Sequence, residues 1–238
     1  MKKMNYLFAM GAIALMAAAS SACSGNSSSN NPEAAAEAAA SSLPTDGILG
    51  ELPKVVAEFE ASEAAADSKY KELKESAPEK ANEFWKEYLA QGNRTKFKKE
   101  TMPALEKTLE GKEIPTEVAE GLPIILDKNF TLDAKRNATT TGAFTAEATN
   151  QTPIMSYTSV AYDSDGNPFY IGKKSISFSN YPIAAGKTFT SEFFVSVSDY
   201  DAANWAKLAK IVIMDKESEA FKQAEEQVKA LKDAFKKN

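Results

Sequence analysis

The chain contains no histidine in 238 residues and only one cysteine, Cys23. The first absence removes every mechanism that needs an imidazole base and every metal site that needs an imidazole ligand. The second removes intramolecular disulfides and paired-thiolate metal sites, so stability must come from a hydrophobic core. Long apolar runs are missing too. The longest uncharged apolar stretch, residues 6–19, is about 14 residues, against the roughly 20 a transmembrane helix needs. No excess of positive charge is present. With 28 Lys+Arg against 33 Asp+Glu, the chain is a poor generic partner for nucleic acid, whose affinity depends on neutralising phosphates. No G-x-S-x-G motif occurs, so the nucleophile elbow of serine hydrolases is absent.

What is present at the N-terminus has a clear order. Lys2 and Lys3 open the chain, residues 6–19 are apolar, and Ser20, Ser21 and Ala22 precede Cys23. A basic start, an apolar stretch and a small-residue cleavage zone make a secretory signal over residues 1–22. An exported protein with an unpaired cysteine needs a reason for it, and lipid attachment at Cys23 supplies one. Ser20-Ser21-Ala22-Cys23 resembles the lipobox of bacterial lipoproteins, with Ser20 where that family usually carries Leu. The resemblance implies several acyl chains and stable attachment, since each buried CH₂ contributes about 0.8 kcal/mol. Ser24 is not acidic, which by the same resemblance implies sorting to the outer membrane, and residues 24–31 lack the acidic cluster that resembles a surface-export tag, which implies its periplasmic face rather than the cell surface.

Residues 23–50 are rich in Ser, Asn, Ala, Gly and Pro and are expected to form a flexible tether. Residues 51–113 carry helical spacing. A first helix is expected over 51–76, with Leu52, Val55, Val56, Phe59, Ala66, Tyr70 and Leu73 on one face. Ser76 to Glu79 has the capping-box pattern, with Pro78 in the first turn of a second helix that Gly92 ends. Its stripe of Phe84, Trp85, Tyr88 and Leu89 reads as packing surface rather than a ligand box. A third helix over 94–110 is interrupted by Pro103.

The pattern changes near Ile114. Residues 114–214 are rich in β-branched and aromatic residues with frequent turns, as in a sandwich or barrel. Strands are expected at 123–126, 130–134, 140–149, 154–162, 169–177, 188–198 and 210–214, with a short helix at 201–208 and a hairpin turn at 163–168. Residues 215–238 form a last helix. Phe221, Ala224, Val228, Leu231 and Phe235 make a seam of about two heptads, too short for an independent coiled coil. It is expected to dock on residues 51–110 or on the sheet, with dimerisation as the other use.

Three fragments carry a family likeness. Gly142-Ala143-Phe144 with Ala148-Thr149-Asn150 is one. Val160-Ala161-Tyr162-Asp163 with Asp165-Gly166 is the second, and Ile183 to Phe189 through Gly186 the third. Together, over 142–195, they resemble the FxLYD-type immunoglobulin-like domains of bacterial lipoproteins. Ser159 and Ala161 stand where that signature has Phe and Leu. The resemblance implies an Ig-like sandwich used for interaction or spacing, without catalytic residues. The fold class expected is therefore α+β: an N-terminal helical hairpin or bundle, an Ig-like antiparallel β-sandwich and a C-terminal amphipathic helix.

Other patterns compete with plainer readings. Gly186-Lys187-Thr188 ends like a phosphate loop, but Tyr181 replaces the first glycine and a strand follows, so it reads as a turn. Asp163, Asp165 and Asn167 are spaced like calcium ligands, but Ala161 lacks the earlier oxygen, so a metal-free turn is expected. Asp199 and Asp201 could add oxygens only if the fold brought them close. Asn137-Ala138-Thr139 and Asn150-Gln151-Thr152 match glycosylation acceptors and read as turns. No catalytic residue, cofactor or metal is assigned. The expected function is a membrane-anchored, non-enzymatic envelope lipoprotein that binds or scaffolds a protein partner. One alternative is a glycan-binding module using Tyr157, Tyr162, Tyr170, Tyr181 and Trp205 as an aromatic platform. The other is an envelope hydrolase built on a carboxylate pair.

Overall fold

The computed structural model describes residues 32–148, 157–176, 182–197 and 202–235. Helices come first: α1 (Pro32–Ser41), α2 (Leu52–Ser76) and α3 (Pro78–Ala90). Pro53 lies in the first turn of α2, where a missing N–H leaves no bond unmade. Pro78 ends that helix by forcing Ala77 out of helical geometry (φ −156°, ψ 76°) and then opens α3. Here the structure corrects the sequence reading. Ser76 does not cap α3; it closes α2, its Oγ donating to the Glu72 carbonyl at 2.9 Å. Gly92, at φ 68°, ends α3 as expected. The chain continues as α4 (Asn93–Lys96), a π-helical turn at Phe97–Thr101, and α5 (Met102–Lys107). Pro103 has no N–H to bond the carbonyl four residues back, and the widened turn absorbs this, with the Met102 N–H reaching the Phe97 carbonyl.

The tether expected over 23–50 is folded from Pro32 onward. Ala40 is buried, and Leu49 is 1% exposed within the main core. Gly47 lies so close to the Ala206 carbonyl that a Cβ there would sit 2.6 Å from its oxygen.

The strands form two sheets. In the first, β5 (Asn137–Phe144) is central. β4 (Phe130–Leu132) and β3 (Ile124–Leu126) follow one another along one edge of it, β8 (Thr188–Phe194) covers the other, and β1 (Glu113–Ile114) lies outside β4. The second sheet runs β2 (Thr116–Val118), β9 (Leu208–Asp215), β6 (Tyr157–Asp163), β7 (Pro168–Ile176). Every pairing is antiparallel except β2 with β9. The chain passes from one sheet to the other at Pro115, between β1 and β2. β5 and β8 alternate strictly between buried and outward residues, the mark of a sheet with one covered face. β6 is buried on both faces because α7 (Glu219–Phe235) covers the far side of its sheet. Phe221 and Ala224 of α7 form a second core with Val160, Val212 and Met214, and Val228 is buried as well. The amphipathic seam therefore docks on the sheet. The fold is α+β, with a helical hairpin, a two-sheet sandwich and a closing amphipathic helix.

The main core lies between the sheets and reaches the start of α2. Phe130, Phe144, Phe193 and Trp205 are each no more than 1% exposed. Trp205, delivered by α6 (Ala202–Ala206), packs against Phe169, Tyr170 and Phe193. Among the described residues no helix is long and apolar enough to cross a membrane.

Candidate binding cleft

The hairpin turn after β6 builds one wall of the site. Asp163 Oδ1 accepts from the Asp165 N–H at 2.9 Å and the Asn167 N–H at 2.8 Å, and Oδ2 accepts from Asn167 Nδ2 at 3.3 Å. Gly166 takes φ 84° and donates its N–H to the Asp163 carbonyl. This is a tight turn closed by a left-handed residue, where glycine avoids the Cβ clash. The same design recurs after β4. Asp133 Oδ1 accepts from the Lys135 and Asn137 N–H groups, and Oδ2 from Asn137 Nδ2 at 3.0 Å. Arg136, at φ 65°, stands where the other turn has glycine. Burial alone would push the Asp133 carboxyl up. The bonds from Asn137 and Lys135 and the Lys135 charge outweigh that and hold it below its ordinary value.

A cleft of about 570 Å³ opens between the 163–167 turn, the α6–β9 junction and the C-terminal half of α7. Asp165, Asn167, Asn204, Lys207 and Gln227 supply its polar groups, and Phe169 and Leu231 an apolar floor. Lys207 Nζ lies 3.8 Å from Asp165 Oδ2, with both side chains about half exposed or more. The Ser164 N–H donates to the Lys207 carbonyl at 3.0 Å and fixes the turn against the start of β9. Carboxamides beside a half-exposed ion pair can both donate and accept, which suits a ligand that carries both kinds of group. A hydrolytic carboxylate pair needs two carboxylates facing a substrate. In this cleft Asp163 is held by its own turn and Asp165 by Lys207.

The other residues singled out in the sequence are placed as follows. Cys23, Asn150, Tyr181, Asp199 and Asp201 lie outside the described residues. Tyr157 and Tyr170 are buried and Trp205 is fully so, which takes three of the five rings of the expected aromatic platform into the core; Tyr162, the other described ring, is half-buried. Gly186 sits in a turn at φ 78°, donating to the Phe144 carbonyl ahead of β8, as expected. Asn137 serves the Asp133 turn. No group of three or more potential metal-ligating side chains occurs among the described residues. Sequence reasoning missed Asn204, Lys207 and Gln227, because nothing local marks residues that three elements bring together. It also passed over Ser68 and Lys71, which have Ser-x-x-Lys spacing; both are exposed on α2, away from the cleft.

A second constellation ties the helices. Glu63 of α2 accepts from Tyr88 Oη of α3 and from Arg94 Nε of α4. The Arg94 guanidinium lies 5.2 Å from the Trp85 ring centroid and 5.9 Å from that of Tyr88. Burial, then the bond and charge of Glu63, push the Tyr88 phenol up to about 12.

No family model, no characterised protein and no solved structure matches the chain.

Proposed function

We propose that the chain is a lipid-anchored envelope protein that acts without catalysis, by holding an extended segment of a protein partner in the cleft beside α7. The observation that carries this reading is the gathering of Asn167, Asn204 and Gln227 with Phe169 and Leu231 in one cleft. Carboxamides both donate and accept, as the N–H and C=O groups of a peptide backbone do. The FxLYD-like turns support the same reading, since domains of that type serve interaction or spacing. The N-terminal pattern ending at Cys23 supports export, lipid attachment and residence at the outer membrane on its periplasmic face.

A photoreactive residue in place of Gln227 tests the cleft in intact cells. A discrete protein adduct is expected, abolished by Asn204→Ala and absent when the probe replaces Lys229, which is exposed on α7 outside the cleft. Equal adducts from both positions count against the reading. Binding of the purified protein to a glycan panel, without a protein adduct, transfers the cleft to the glycan alternative. For the anchor, Cys23→Ala is expected to release the protein from the membrane fraction and change its mobility; an unchanged, membrane-bound variant overturns lipidation.

A further inference from the structure

Residues 85–99, where α3 turns into α4 and the π-helical turn, combine three features of a membrane-facing surface. Leu89 is 49% exposed, next to the half-buried rings of Trp85 and Tyr88. Lys96, Lys98 and Lys99 follow, all exposed; with Lys86 they outnumber the exposed acids Glu87 and Glu100, while Arg94 is already paired with Glu63. Leu89, Gly92 and Arg94 line one hollow of about 150 Å³, and Thr95, the residue before Lys96, completes its rim. An exposed aliphatic side chain close in the chain to Trp, Tyr and several lysines is the composition that settles at headgroup level. It stands out on a chain whose charge is otherwise acidic.

The length of the lead to the anchor points the same way. α1 begins at Pro32, so eight residues, 24–31, lie between Cys23 and the folded body. Fully extended, that lead spans about 30 Å. Ser41, at the end of α1, bonds Glu58 of α2 at 3.4 Å, and the next residue, Phe59, stacks on Phe97 of the basic turn with centroids 3.8 Å apart. α1 is itself only about 15 Å long. A lipid on Cys23 is therefore separated from the start of α1 by a lead of at most about 30 Å, far shorter than a long tether.

We propose that this corner docks on the anionic surface of the membrane that holds the anchor, with Leu89 at headgroup depth and Lys96, Lys98 and Lys99 on the headgroup charges. The inference rests on the lipid-anchor reading of Cys23. Three lysines at an anionic surface favour contact by about 100-fold. That is too little to capture a free protein and enough to orient a tethered one.

The test uses the lipidated full-length product in vesicles of phosphatidylcholine alone or mixed with phosphatidylglycerol, exposed to an amine-reactive label and read by mass spectrometry. On anionic vesicles Lys96, Lys98 and Lys99 are expected to label about tenfold less than on neutral ones, while the exposed Lys187 and Lys229 label equally on both. High salt is expected to erase the difference, because screening shortens the reach of the surface charge. In a variant with Lys96→Glu and Lys98→Glu, both at exposed positions, Lys99 is expected to label equally on the two vesicle types. Failure of the wild-type protein to float with either vesicle overturns the anchor, and the docking with it. Flotation with identical labelling on both overturns the docking alone.

Discussion

Two aspartates, Asp133 and Asp163, organise equivalent turns, one in each sheet, and the two turns differ at one residue. Gly166 adopts positive φ without penalty, whereas Arg136 adopts it at a cost of about 1–2 kcal/mol for an L side chain. What holds Arg136 there is visible. Its Nε bonds Glu106 Oε1 at 2.8 Å, both side chains are less than one-fifth exposed, and its Nη1 reaches the Val195 carbonyl at 3.3 Å. Arg136→Ala leaves the strain in place and Glu106 unpaired, so it is expected to lower stability by about 3 kcal/mol. Arg136→Gly leaves Glu106 unpaired as well but relieves the strain, and should be about 1 kcal/mol more stable than the alanine variant. Urea unfolding of both decides this. Equal midpoints mean the backbone is not strained; a glycine variant as stable as wild type means that losing the ion pair costs no more than the strain relieved. Gly166 made its turn readable from sequence, because glycine signals positive φ. The Arg136 turn lacked that signal, although the aspartate and asparagine four residues apart, present in both turns, would have found it.

Helices with long periodic faces, α2, α3 and α7, and strands with strict alternation, β5 and β8, were readable because one covered face imposes one period. β1 and β2, with two and three residues, are too short to show a period, and their pairing depends on partners far along the chain. The parallel pairing of β2 with β9 was likewise invisible. So was the folding of residues 40–50, whose small side chains look like linker until Leu49 and Gly47 meet the core. Gly142 shows how close that packing is. A Cβ there would stand 2.3 Å from the Ile125 carbonyl oxygen and 2.8 Å from the Phe189 ring. Since the obstacle is backbone of the neighbouring strand, Gly142→Ala must push β3 from β5, at an expected loss of about 3 kcal/mol. Ala143→Ser, one residue on and on the outer face, is the control; equal denaturation midpoints for the two would refute the close approach. At the helical hairpin the Tyr88 phenol makes a pH prediction. Its proton is held more tightly folded than unfolded, so its contribution is complete below about 10, the free phenol value, and is lost as pH rises towards about 12. Tyr88→Phe should remove that alkaline loss of helicity, and a variant that still loses helicity over the same range would assign it elsewhere.

At the scale of the molecule, the described residues pack unevenly. The first turns of α2, both sheets and α6 share one core, and α7 adds a second on the outer face of its sheet. The far half of α2 and all of α3 do not join either. Ala66 and Ala81 are the buried residues there, and α3 packs chiefly on α2. The hairpin is tied by Tyr70 against Trp85 at 5.2 Å, by Tyr88 Oη bonding Glu63, and by Arg94 reaching back to Glu63 over the Trp85 and Tyr88 rings. Two helices that bury so little apolar surface cannot match the stability of strands covered on both faces, such as β6. The hairpin should therefore open by itself while the sandwich stays closed. Hydrogen exchange in the native state measures this directly. Amides of residues 66–90 are expected to exchange through a local opening that responds weakly to denaturant, and those of β5, β6 and β9 only through global unfolding. Arg94→Ala should speed exchange across residues 66–90 and leave the sheets unchanged, because it removes the tie between α4 and the hairpin without touching either core. Uniform protection across hairpin and sheets would show instead that the molecule unfolds as one cooperative unit, with the hairpin part of it.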